Sequence, residues 1–284
     1  MNIVQPSKSN RVWFITGCSS GLGRALSEAV LRHGDMAVVT ARDARTVADL
    51  ETAFPGRAKA LRLDVTDQDS IEAAIEAAIA WKGRIDVLVN NAGFGTVGAL
   101  EEIDEDEAHT AFDANFFGVY RVIRAALPHM RAQGGGHILN VSSMIGFVGV
   151  GGFSFYSAVK FAVEGLSEAL AKEMKPFGIR VTIVEPGPFR TDFRSRGMRM
   201  APQHPAYAES LGGFRKALIE TDGQQPGDPQ KAAKLIVEMV NADNPPLRLP
   251  LGEVCMKTMR QKLEAVKQDL DAWETASRAT AFTS

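Results

Sequence analysis

The sequence predicts an α/β fold, with a doubly wound, mostly parallel sheet and helices on both faces, in a single domain. Three observations indicate this class. Short apolar runs alternate with stretches of helical periodicity through the first 190 residues. A glycine-rich turn joins the first predicted strand to the first helix. The 284 residues are 45% hydrophobic and 23% charged, which is typical of a globular protein with a sizeable core.

Composition and charge exclude several function classes. Lys and Arg number 32 against 34 Asp and Glu, so there is no global electrostatic reason to expect nucleic acid or an anionic membrane as a partner. Cys18 and Cys255 are isolated thiols that suit a reducing compartment, and no Cys/His spacing indicates a metal. The polar first ten residues have no apolar signal region, and no apolar run is long enough to cross a bilayer. We therefore expect a cytoplasmic protein.

The predicted strands are short runs rich in apolar and β-branched residues, and half of them are followed by Gly, Asn or Asp. They cover residues 11–16, 36–40, 60–63, 85–89, 137–141 and 180–184. The predicted helices have apolar residues at three- and four-residue spacing. They cover residues 21–33, 46–53, 67–82, 104–131 and 154–175, with an interruption expected at Pro128.

The chain is expected to divide into four parts. Residues 1–10 form a tail and residues 11–190 the main α/β core. Residues 191–225, rich in Arg, Met, Gly and Pro, have weak periodicity, which suggests a mobile segment over the site. Residues 226–284 extend the same domain, with helices at 231–240 and 252–273 joined through a proline-punctuated connection at 245–250.

The glycine-rich turn carries the first functional signal. Glycines at a strand-to-helix turn let a diphosphate approach the amides at the helix N-terminus, where the helix dipole favours negative charge. The spacing here is G-x-x-x-G-x-G, and a tight turn that simply needs small residues is the alternative. The candidate dinucleotide-binding residues of the turn are Gly17, Ser19, Ser20, Gly21, Leu22 and Gly23. The predicted strand before this turn and the predicted helix after it favour nucleotide binding.

The end of the second strand indicates which cofactor is bound. An acidic residue at this place would hydrogen-bond the adenosine ribose of NAD. Ala41 stands there instead, and Arg42 follows, whose guanidinium can pair with a 2′-phosphate. We therefore expect NADP(H) to be preferred over NAD(H). The alternative is a surface role for Arg42, with Asp43 acting as the acid from one position further on.

Tyr156 and Lys160 are the candidate acid/base pair. Their spacing of four residues places both side chains on one face of a helix. A phenol is a poor proton donor or acceptor at neutral pH, and a nearby ammonium favours the phenolate. Such a pair is a reasonable general acid/base, although this spacing is also common on plain helix surfaces.

Two more polar residues join this pair. Ser143 follows the fifth strand, where its hydroxyl can hold a substrate oxygen beside Tyr156, and chemistry alone does not exclude Ser142. Asn115 is an amide within the long helix. It is either a structural cap or kink, or a polar link in a proton path.

With these motifs in order, the chain resembles the short-chain dehydrogenase/reductase family over two-thirds of its length. The motifs that carry the resemblance are Thr16-Gly17-x-x-x-Gly21-x-Gly23, Asp64-Val65, Asn90-Asn91-Ala92-Gly93, Asn115, Ser143, Tyr156-x-x-x-Lys160 and Pro186-Gly187. The resemblance implies a Rossmann-like core, with residues 11–190 as the dinucleotide-binding and catalytic core, and hydride transfer between a nicotinamide and a carbonyl or alcohol.

The resemblance also implies a role for each catalytic residue. Tyr156 is the general acid/base, and Ser143, at the family's 13-residue interval before it, orients the carbonyl. Lys160 lowers the tyrosine pKa and holds the nicotinamide ribose. Asn115 supports a water that relays protons to Lys160.

Further cofactor contacts are implied in the same way. Asp64 and Val65 meet the adenine, and Asn90, Ala92 and Gly93 lie on the adenosine side. Near the nicotinamide amide the resemblance implies Pro186, Gly187 and Thr191. Phe189 departs from the small aliphatic residue that the family often has before the threonine, which puts the detail of this pocket in doubt.

The expected substrate is a medium-sized apolar carbonyl or alcohol. Apolar residues cluster on the predicted active-site loops (Phe94, Met144, Phe147, Val148, Phe153, Phe155) and in the lid-like segment (Phe193, Met198, Met200, Tyr207, Leu211, Phe214). These residues could equally pack loops against the body. Arg194, Arg196 and Arg199 could meet an acidic group or only solvent. Segments of residues 191–219 resemble the substrate loop of steroid and retinol dehydrogenases of the family.

Three other functions are alternatives for a chain with these motifs. They are an NAD-dependent alcohol dehydrogenase of the same fold, a non-catalytic dinucleotide sensor, and an epimerase or dehydratase. The presence of both Tyr156 and Lys160 disfavours the sensor, and the roughly 90 residues after Pro186 are few for a sugar-nucleotide domain. Apolar positions on more than one face of helices 104–131 and 154–175 indicate a homodimer or homotetramer, as in the family.

Overall fold

The computed structural model describes residues 10–282. Its strands are β1 (Val12–Ile15), β2 (Met36–Ala41), β3 (Ala58–Arg62), β4 (Val87–Asn90), β5 (Gly95–Val97), β6 (Gly136–Val141), β7 (Ile179–Pro186), β8 (Met198–Met200) and β9 (Arg248–Leu251). Its helices are α1 (Gly21–His33), α2 (Ala48–Ala53), α3 (Gln68–Lys82), α4 (Glu105–Phe112), α5 (Gly118–Ala132), α6 (Ser154–Met174), α7 (Phe193–Arg196), α8 (Ala208–Glu220), α9 (Pro229–Val240) and α10 (Glu253–Arg278). Apart from Asn10, the expected tail 1–10 lies outside the described residues, as do residues 283–284 of the expected extension 226–284.

In the described part of the chain, seven parallel strands form the central sheet, in the order β3-β2-β1-β4-β6-β7-β9. The predicted fold class is confirmed. The strand order changes direction between β1 and β4, and such a switch point opens a crevice at the carboxyl ends of the strands. The turn after β1 and the loop after β4 therefore meet at the place where ligands bind in this architecture.

Both faces of the sheet are covered, and β1 shows how. Trp13 and Ile15 face one core, which α1 and α9 complete, while Phe14 faces a second core built with α3, α5 and α6. All four residues of β1 are buried. Because a strand buried on both faces has no polar side, the predicted strands are continuous apolar runs in the sequence.

The long helix predicted at 104–131 forms as two α-helices, α4 and α5. A single π-helical turn, Asp113–Phe117, joins α4 to α5. The interruption predicted at Pro128 is wrong, because α5 continues through it to Ala132. Pro128 and Arg124, four residues earlier, are both exposed, so solvent can satisfy the carbonyl that the proline leaves without its helical partner. Elsewhere, β3 begins two residues before the predicted strand 60–63.

The connection predicted at 245–250 is the largest correction. Its second half is β9, the seventh strand, which pairs parallel with β7 from Arg248 to Leu251. Pro250 lies within β9, at the edge of the sheet. A proline lacks a backbone N–H and is therefore tolerated on an edge strand, although it weakens the strand signal in the sequence.

The segment 191–225 contains helices and a strand. It forms α7, β8 and α8, and β8 pairs parallel with β5 in a small second sheet. The side chains of Arg215 and Glu102 form an almost fully buried ion pair, and Arg215 also donates to the carbonyl of Ala201 at 2.7 Å. These contacts attach α8 to the chain that follows β5. Whether the segment moves over the site remains a prediction.

Helices α9 and α10 occupy the predicted positions. Asp228 caps α9 by accepting hydrogen bonds from the amides of Gln230 and Lys231. Helix α10 extends five residues beyond the predicted end at Trp273. Within residues 10–282, none of the helices is both long enough and apolar enough to cross a membrane.

Candidate active site

A cavity of about 1090 Å³ opens at the carboxyl ends of the central strands. At one end it is lined by the β1–α1 turn and the ends of β2 and β3. At the other end it is lined by the segments after β6 and β7, by α6 and by the 191–225 segment. Most of the predicted site residues line it: Gly17, Ser19, Ser20, Gly21, Leu22, Arg42, Asp64, Val65, Ala92, Gly93, Ser143, Tyr156, Lys160, Pro186, Gly187 and Thr191.

The β1–α1 turn is held against the loop after β4 by close backbone contacts. Gly17 has a φ of 72°, and a Cβ at this position would lie 2.8 Å from the Cα of Ala92. A Cβ on Gly23 would lie 2.3 Å from the carbonyl oxygen of Gly17. Both positions therefore require glycine, one for conformation and space and the other for space alone. Gly23 does not line the cavity and supports the turn from behind.

Asn91, in the middle of the predicted motif, was missed as a site residue. Its Nδ2 donates to the carbonyls of Thr16 at 2.9 Å and Gly17 at 3.0 Å. Thr16 Oγ1 accepts from the amides of Asn91 and Ala92, both at 2.9 Å. These bonds join the ends of β1 and β4. The Asn-Asn-Ala-Gly motif signals the loop, but only the folded chain distinguishes the two asparagines.

The two asparagines have different surroundings. Asn90 is buried and donates to Asn140 Oδ1 at 2.8 Å, and it does not line the cavity. Asn140 in turn donates to Ser167 Oγ of α6 at 2.8 Å. Asn90 therefore links β4 to β6 and α6, and any contribution to cofactor binding is through positioning of the strand end.

At the end of β2, the side chains of Arg42 and Asp43 have different surroundings. Ala41 and Arg42 line the cavity. Asp43 caps the short helix that follows, accepting from the amide of Arg45, and it also pairs with the Arg45 guanidinium at 2.7 Å. The carboxylate of Asp43 is therefore occupied outside the cavity.

Asp64 lies near Arg42 across the same end of the cavity. Its Oδ1 accepts from the amide of Thr66 at 3.0 Å and from the hydroxyl at 2.7 Å. Burial acts to raise the pKa of Asp64, but these bonds and the charges of Arg42 and Arg62 outweigh it and hold the pKa below the usual value. Asp64 is thus ionised at neutral pH. Val65, beside it, packs against Gly118 of α5.

Tyr156 and Lys160 lie on one face of α6, as predicted, and both are buried. The ammonium of Lys160 lies 5.8 Å from the centre of the Tyr156 ring and donates to the carbonyl of Val141 at 2.9 Å. Burial raises the pKa of the Tyr156 phenol. Burial lowers the pKa of Lys160 to about 8, and the charge of Glu164 opposes this change. That Lys160 lowers the tyrosine pKa remains a prediction.

The two adjacent serines differ in their environment. Ser143 is part-exposed in the cavity, and its Oγ accepts a long hydrogen bond of 3.3 Å from the amide of Ile145. Ser142 is buried. A Cβ on Gly146 would lie 2.3 Å from Ser142 Oγ, which therefore packs tightly against this glycine. Both serines line the cavity, and the part-exposed Ser143 has the more accessible hydroxyl of the two.

Asn115 lies in the π-helical turn and does not line the cavity. Its Nδ2 donates to the carbonyl of Ala111 at 2.9 Å, and its Oδ1 accepts from the amide of Phe94 at 3.0 Å. A Cβ on Gly93 would lie 2.3 Å from this Oδ1. The side chain therefore satisfies a carbonyl of the distorted helix and positions the loop after β4. A role in a proton path remains a prediction.

The end of the cavity beyond Tyr156 is mostly apolar. Phe153 packs edge-on against Phe214 of α8, with ring centres 5.1 Å apart, and Phe193 lies 6.3 Å from the Tyr156 ring. The apolar side chains around them are Val97, Met144, Ile145, Val150, Met198 and Leu218. Among residues 10–282 no group of three or more His, Cys, Asp or Glu side chains could hold a metal.

A buried charged cluster lies behind Lys160. Glu164, one helical turn further along α6, and Glu185 of β7 are 4% and 0% exposed, and both pair with Arg248 of β9. Arg248 also pairs with Glu168, and its guanidinium lies 5.0 Å from the ring centre of Phe147. Burial, together with the charge of Glu164, raises the pKa of Glu185 to about 7 against the opposing charge of Arg248. No sequence motif signals this cluster, because its members come from three separate elements.

The family model, the similar sequences and the similar solved structure agree with one another. The family model described as short chain dehydrogenase matches residues 11–200. An oxidoreductase of Botryotinia fuckeliana is 37% identical over 272 residues, which cover 95% of this chain and 99% of that protein. A 3-ketodihydrosphingosine reductase of Bacteroides thetaiotaomicron is 38% identical over 244 residues, covering 85% of this chain and 88% of that protein. The crystal structure of a short-chain dehydrogenase from Streptomyces avermitilis superposes with a TM-score of 0.90 at 46% identity, covering 96% of this chain and all of that one.

The buried carboxyl of Glu185 is expected to make stability depend on pH. In the folded protein it keeps its proton up to about pH 7, whereas its ordinary pKa is 4.5. The folded state therefore binds more protons between these values, and this contribution to stability is lost as the pH rises through 7. Glu185→Gln, which does not titrate, should show a smaller fall in the free energy of unfolding between pH 5 and pH 8 in denaturant titrations.

Glu168→Gln is the matched control, because Glu168 also pairs with Arg248 but its side chain is half exposed. It should keep the wild-type pH dependence. Equal slopes for Glu185→Gln and the wild type would contradict the assignment of the buried proton to Glu185.

Proposed function

The chain belongs to the short-chain dehydrogenase/reductase family, and we propose that it is an NADP(H)-dependent oxidoreductase that interconverts a carbonyl and an alcohol on a medium-sized apolar substrate. One observation carries the proposal. Ser143, Tyr156 and Lys160 line the same cavity as the glycine turn and Arg42, so one space joins a dinucleotide cradle to an acid/base site. In this architecture ligands bind in the crevice at the switch point of the sheet, which supports the proposal.

The residues of the cavity fit a nicotinamide dinucleotide. Gly17 and Gly21 have positive φ and leave the turn at the N-terminus of α1 without side chains, as close approach of a diphosphate requires. Arg42 is in place for a 2′-phosphate, and the alternative acid, Asp43, is already paired with Arg45. Asp64 and Val65 would hold the adenine end, and Pro186, Gly187 and Thr191 the nicotinamide end. These features favour NADP(H) over NAD(H).

The catalytic roles follow from the environment of each side chain. The cofactor, when bound, supplies or accepts the hydride. Tyr156 would give a proton to the carbonyl oxygen or take it from the alcohol, with Lys160 holding a positive charge on the same helix face. Ser143, whose hydroxyl faces the cavity, would donate a hydrogen bond to the oxygen where negative charge develops. Asn115 would keep the loop below the cofactor in position.

The apolar end of the cavity favours an apolar substrate. Phe153, Phe193 and Phe214 surround the Tyr156 side of the cavity, where a carbonyl would bind. A polar group of the substrate would find no hydrogen-bond partner against these rings, although Arg194, Arg196 and Arg199 of the 191–225 segment also line the cavity. The relative named 3-ketodihydrosphingosine reductase is consistent with a ketone on a lipid-like chain. The 191–225 segment would then act as the substrate-binding lid.

Replacement of Tyr156 tests the acid/base assignment. Tyr156→Phe removes only the hydroxyl, and loss of a positioned general acid should reduce turnover by about 99% or more. NADPH at about 100 times its Kd should still stabilise the variant by about 2.7 kcal/mol in thermal unfolding. Turnover is followed as the fall of NADPH absorbance with a panel of apolar ketones and aldehydes. Tyr120→Phe, on an exposed part of α5, is the control, and near-normal turnover in Tyr156→Phe would overturn the mechanism.

Replacement of Arg42 tests the cofactor preference. Arg42→Ala should raise the Kd for NADPH by roughly tenfold to a hundredfold, as expected for loss of charge-assisted hydrogen bonds, and leave the Kd for NADH nearly unchanged. Isothermal titration calorimetry with both cofactors measures the effect. Arg45→Ala is the matched control, because Arg45 is 91% exposed and pairs with Asp43. An equal loss of affinity for both cofactors would remove the basis for the NADP(H) preference.

Replacement of Arg215 tests the lid. Arg215→Met leaves the carboxylate of Glu102 buried without its partner, which should cost about 3 kcal/mol of unfolding free energy and loosen α8. The KM for large apolar substrates should then rise with little change in the Kd for NADPH. Lys216→Met, which removes an exposed pair with Glu220, should change neither. An unchanged KM in Arg215→Met would show that α8 does not contribute to substrate binding.

A further inference from the structure

Helix α10 leaves the body of the protein and runs through solvent. Its first turns pack through Cys255 and Met259, which are buried. From Arg260 to the last described residue, Phe282, every residue is exposed. The exposed part of the helix is about 28 Å long at 1.5 Å per residue. A helix of this kind gains most of its stability in proteins from packing of an apolar face, which is here uncovered.

The exposed part of α10 has a regular apolar seam. Apolar residues recur at alternating spacings of three and four residues, at positions 256, 259, 263, 266, 270 and 273. The last four are Leu263, Val266, Leu270 and Trp273, with exposures of 57%, 38%, 66% and 68%. We call these four residues the α10 seam. This spacing is the a/d pattern of a coiled coil, in which each seam residue packs against a second helix.

The charges of α10 change sign along its length. Between residues 257 and 267, four basic residues accompany one acidic residue. Between residues 268 and 278, three acidic residues accompany one basic residue. A helix that is basic in its first half and acidic in its second complements an antiparallel copy of itself.

We propose that α10 is a self-association helix, which pairs antiparallel with α10 of a second copy of this chain through the α10 seam. An antiparallel pair of identical helices is related by a twofold axis, the commonest symmetry of protein dimers. Leu263 would pack against Trp273 of the second copy, and Val266 against Leu270. This surface is separate from the helices 104–131 and 154–175, whose role in association remains a prediction, and it does not depend on the proposed chemistry.

The structure limits the register of the pair. Met259 is buried against the body of its own chain, so the seam available to a partner begins at Leu263. In the register that matches the four seam residues, Arg260 lies beside Glu274 of the second copy, and the symmetric pair forms at the other end. Lys267 lies near the twofold axis, beside Lys267 of the second copy. Its ammonium is already paired with Asp271 of its own helix at 2.8 Å.

The charge composition favours a protein partner over a lipid surface. Helix α10 carries five basic and five acidic residues, so its net charge is zero. Helices that lie on anionic membranes are typically rich in Lys and Arg on the polar face and have a wide apolar face. The α10 seam is instead a narrow two-in-seven stripe.

The first experiment measures mass in solution. Leu263→Glu combined with Leu270→Glu places two charges in the seam and should halve the mass seen by sedimentation equilibrium, whether the wild type is a dimer or a tetramer. Gln261→Glu combined with Gln268→Glu adds the same charge on the opposite face of the helix and should keep the wild-type mass. Both variants should keep the NADPH-induced rise in Tm, because all four positions are exposed. A seam variant with the wild-type mass would overturn the proposal.

A charge exchange tests the orientation. Arg260→Glu should weaken association by about tenfold, because two attractive pairs become repulsive. Addition of Glu274→Arg should restore wild-type association, since the exchanged charges meet again only in the antiparallel pair. Failure of this rescue would overturn the antiparallel arrangement. Cosedimentation of the wild type, but not the seam variant, with vesicles of phosphatidylcholine and phosphatidylserine would assign the seam to lipid and also overturn the proposal.

Discussion

The site depends on the close approach of two backbone segments at the switch point of the sheet. The turn after β1 lies so near the loop after β4 that a Cβ on Gly17 would almost touch the Cα of Ala92. Thr16 and Asn91 join the two segments by four hydrogen bonds. This contact sets the position of the α1 N-terminus relative to β4, and with it the shape of the cavity into which Tyr156 and Ser143 project.

Burial is the second constraint on the chemistry. Tyr156 and Lys160 are held in the protein interior, where desolvation opposes the ionised form of each. For Lys160, the carbonyl of Val141 and the charge of Glu164 stabilise the ammonium and partly offset its desolvation. The proposed acid/base pair is thus supported by a carboxylate that does not itself reach the cavity.

Much of this architecture was predictable from the sequence, and the exceptions have physical causes. Strands β1, β2, β3, β4, β6 and β7 and the helices between them follow from the sequence, because the strands are short apolar runs and the helices have apolar residues at helical spacing. Strand β9 was missed because Pro250 weakens the signal of an edge strand, and β5 and β8 because three-residue strands have too few residues for a pattern.

The candidate site divides in the same way. Tyr156, Lys160 and the glycine turn carry local sequence signals. By contrast, the contact of Asn115 with the loop after β4 depends on the π-helical turn, which the sequence does not reveal. The distinction between Ser142 and Ser143 likewise needed the packing of Gly146, and the carboxyl pair behind Lys160 needed the tertiary structure.

The position of Arg248 also has a consequence for the order in which the protein is made. Arg248 is 84 residues after Glu164 and 63 after Glu185, the two buried carboxyls that it pairs with. On a ribosome that adds about 5–20 residues per second, these carboxyls emerge several seconds before the arginine. A nascent chain without β9 therefore has two carboxyls behind Lys160 and no guanidinium beside them. The electrostatic surroundings of Lys160 are set only when β9 has left the ribosome and paired with β7.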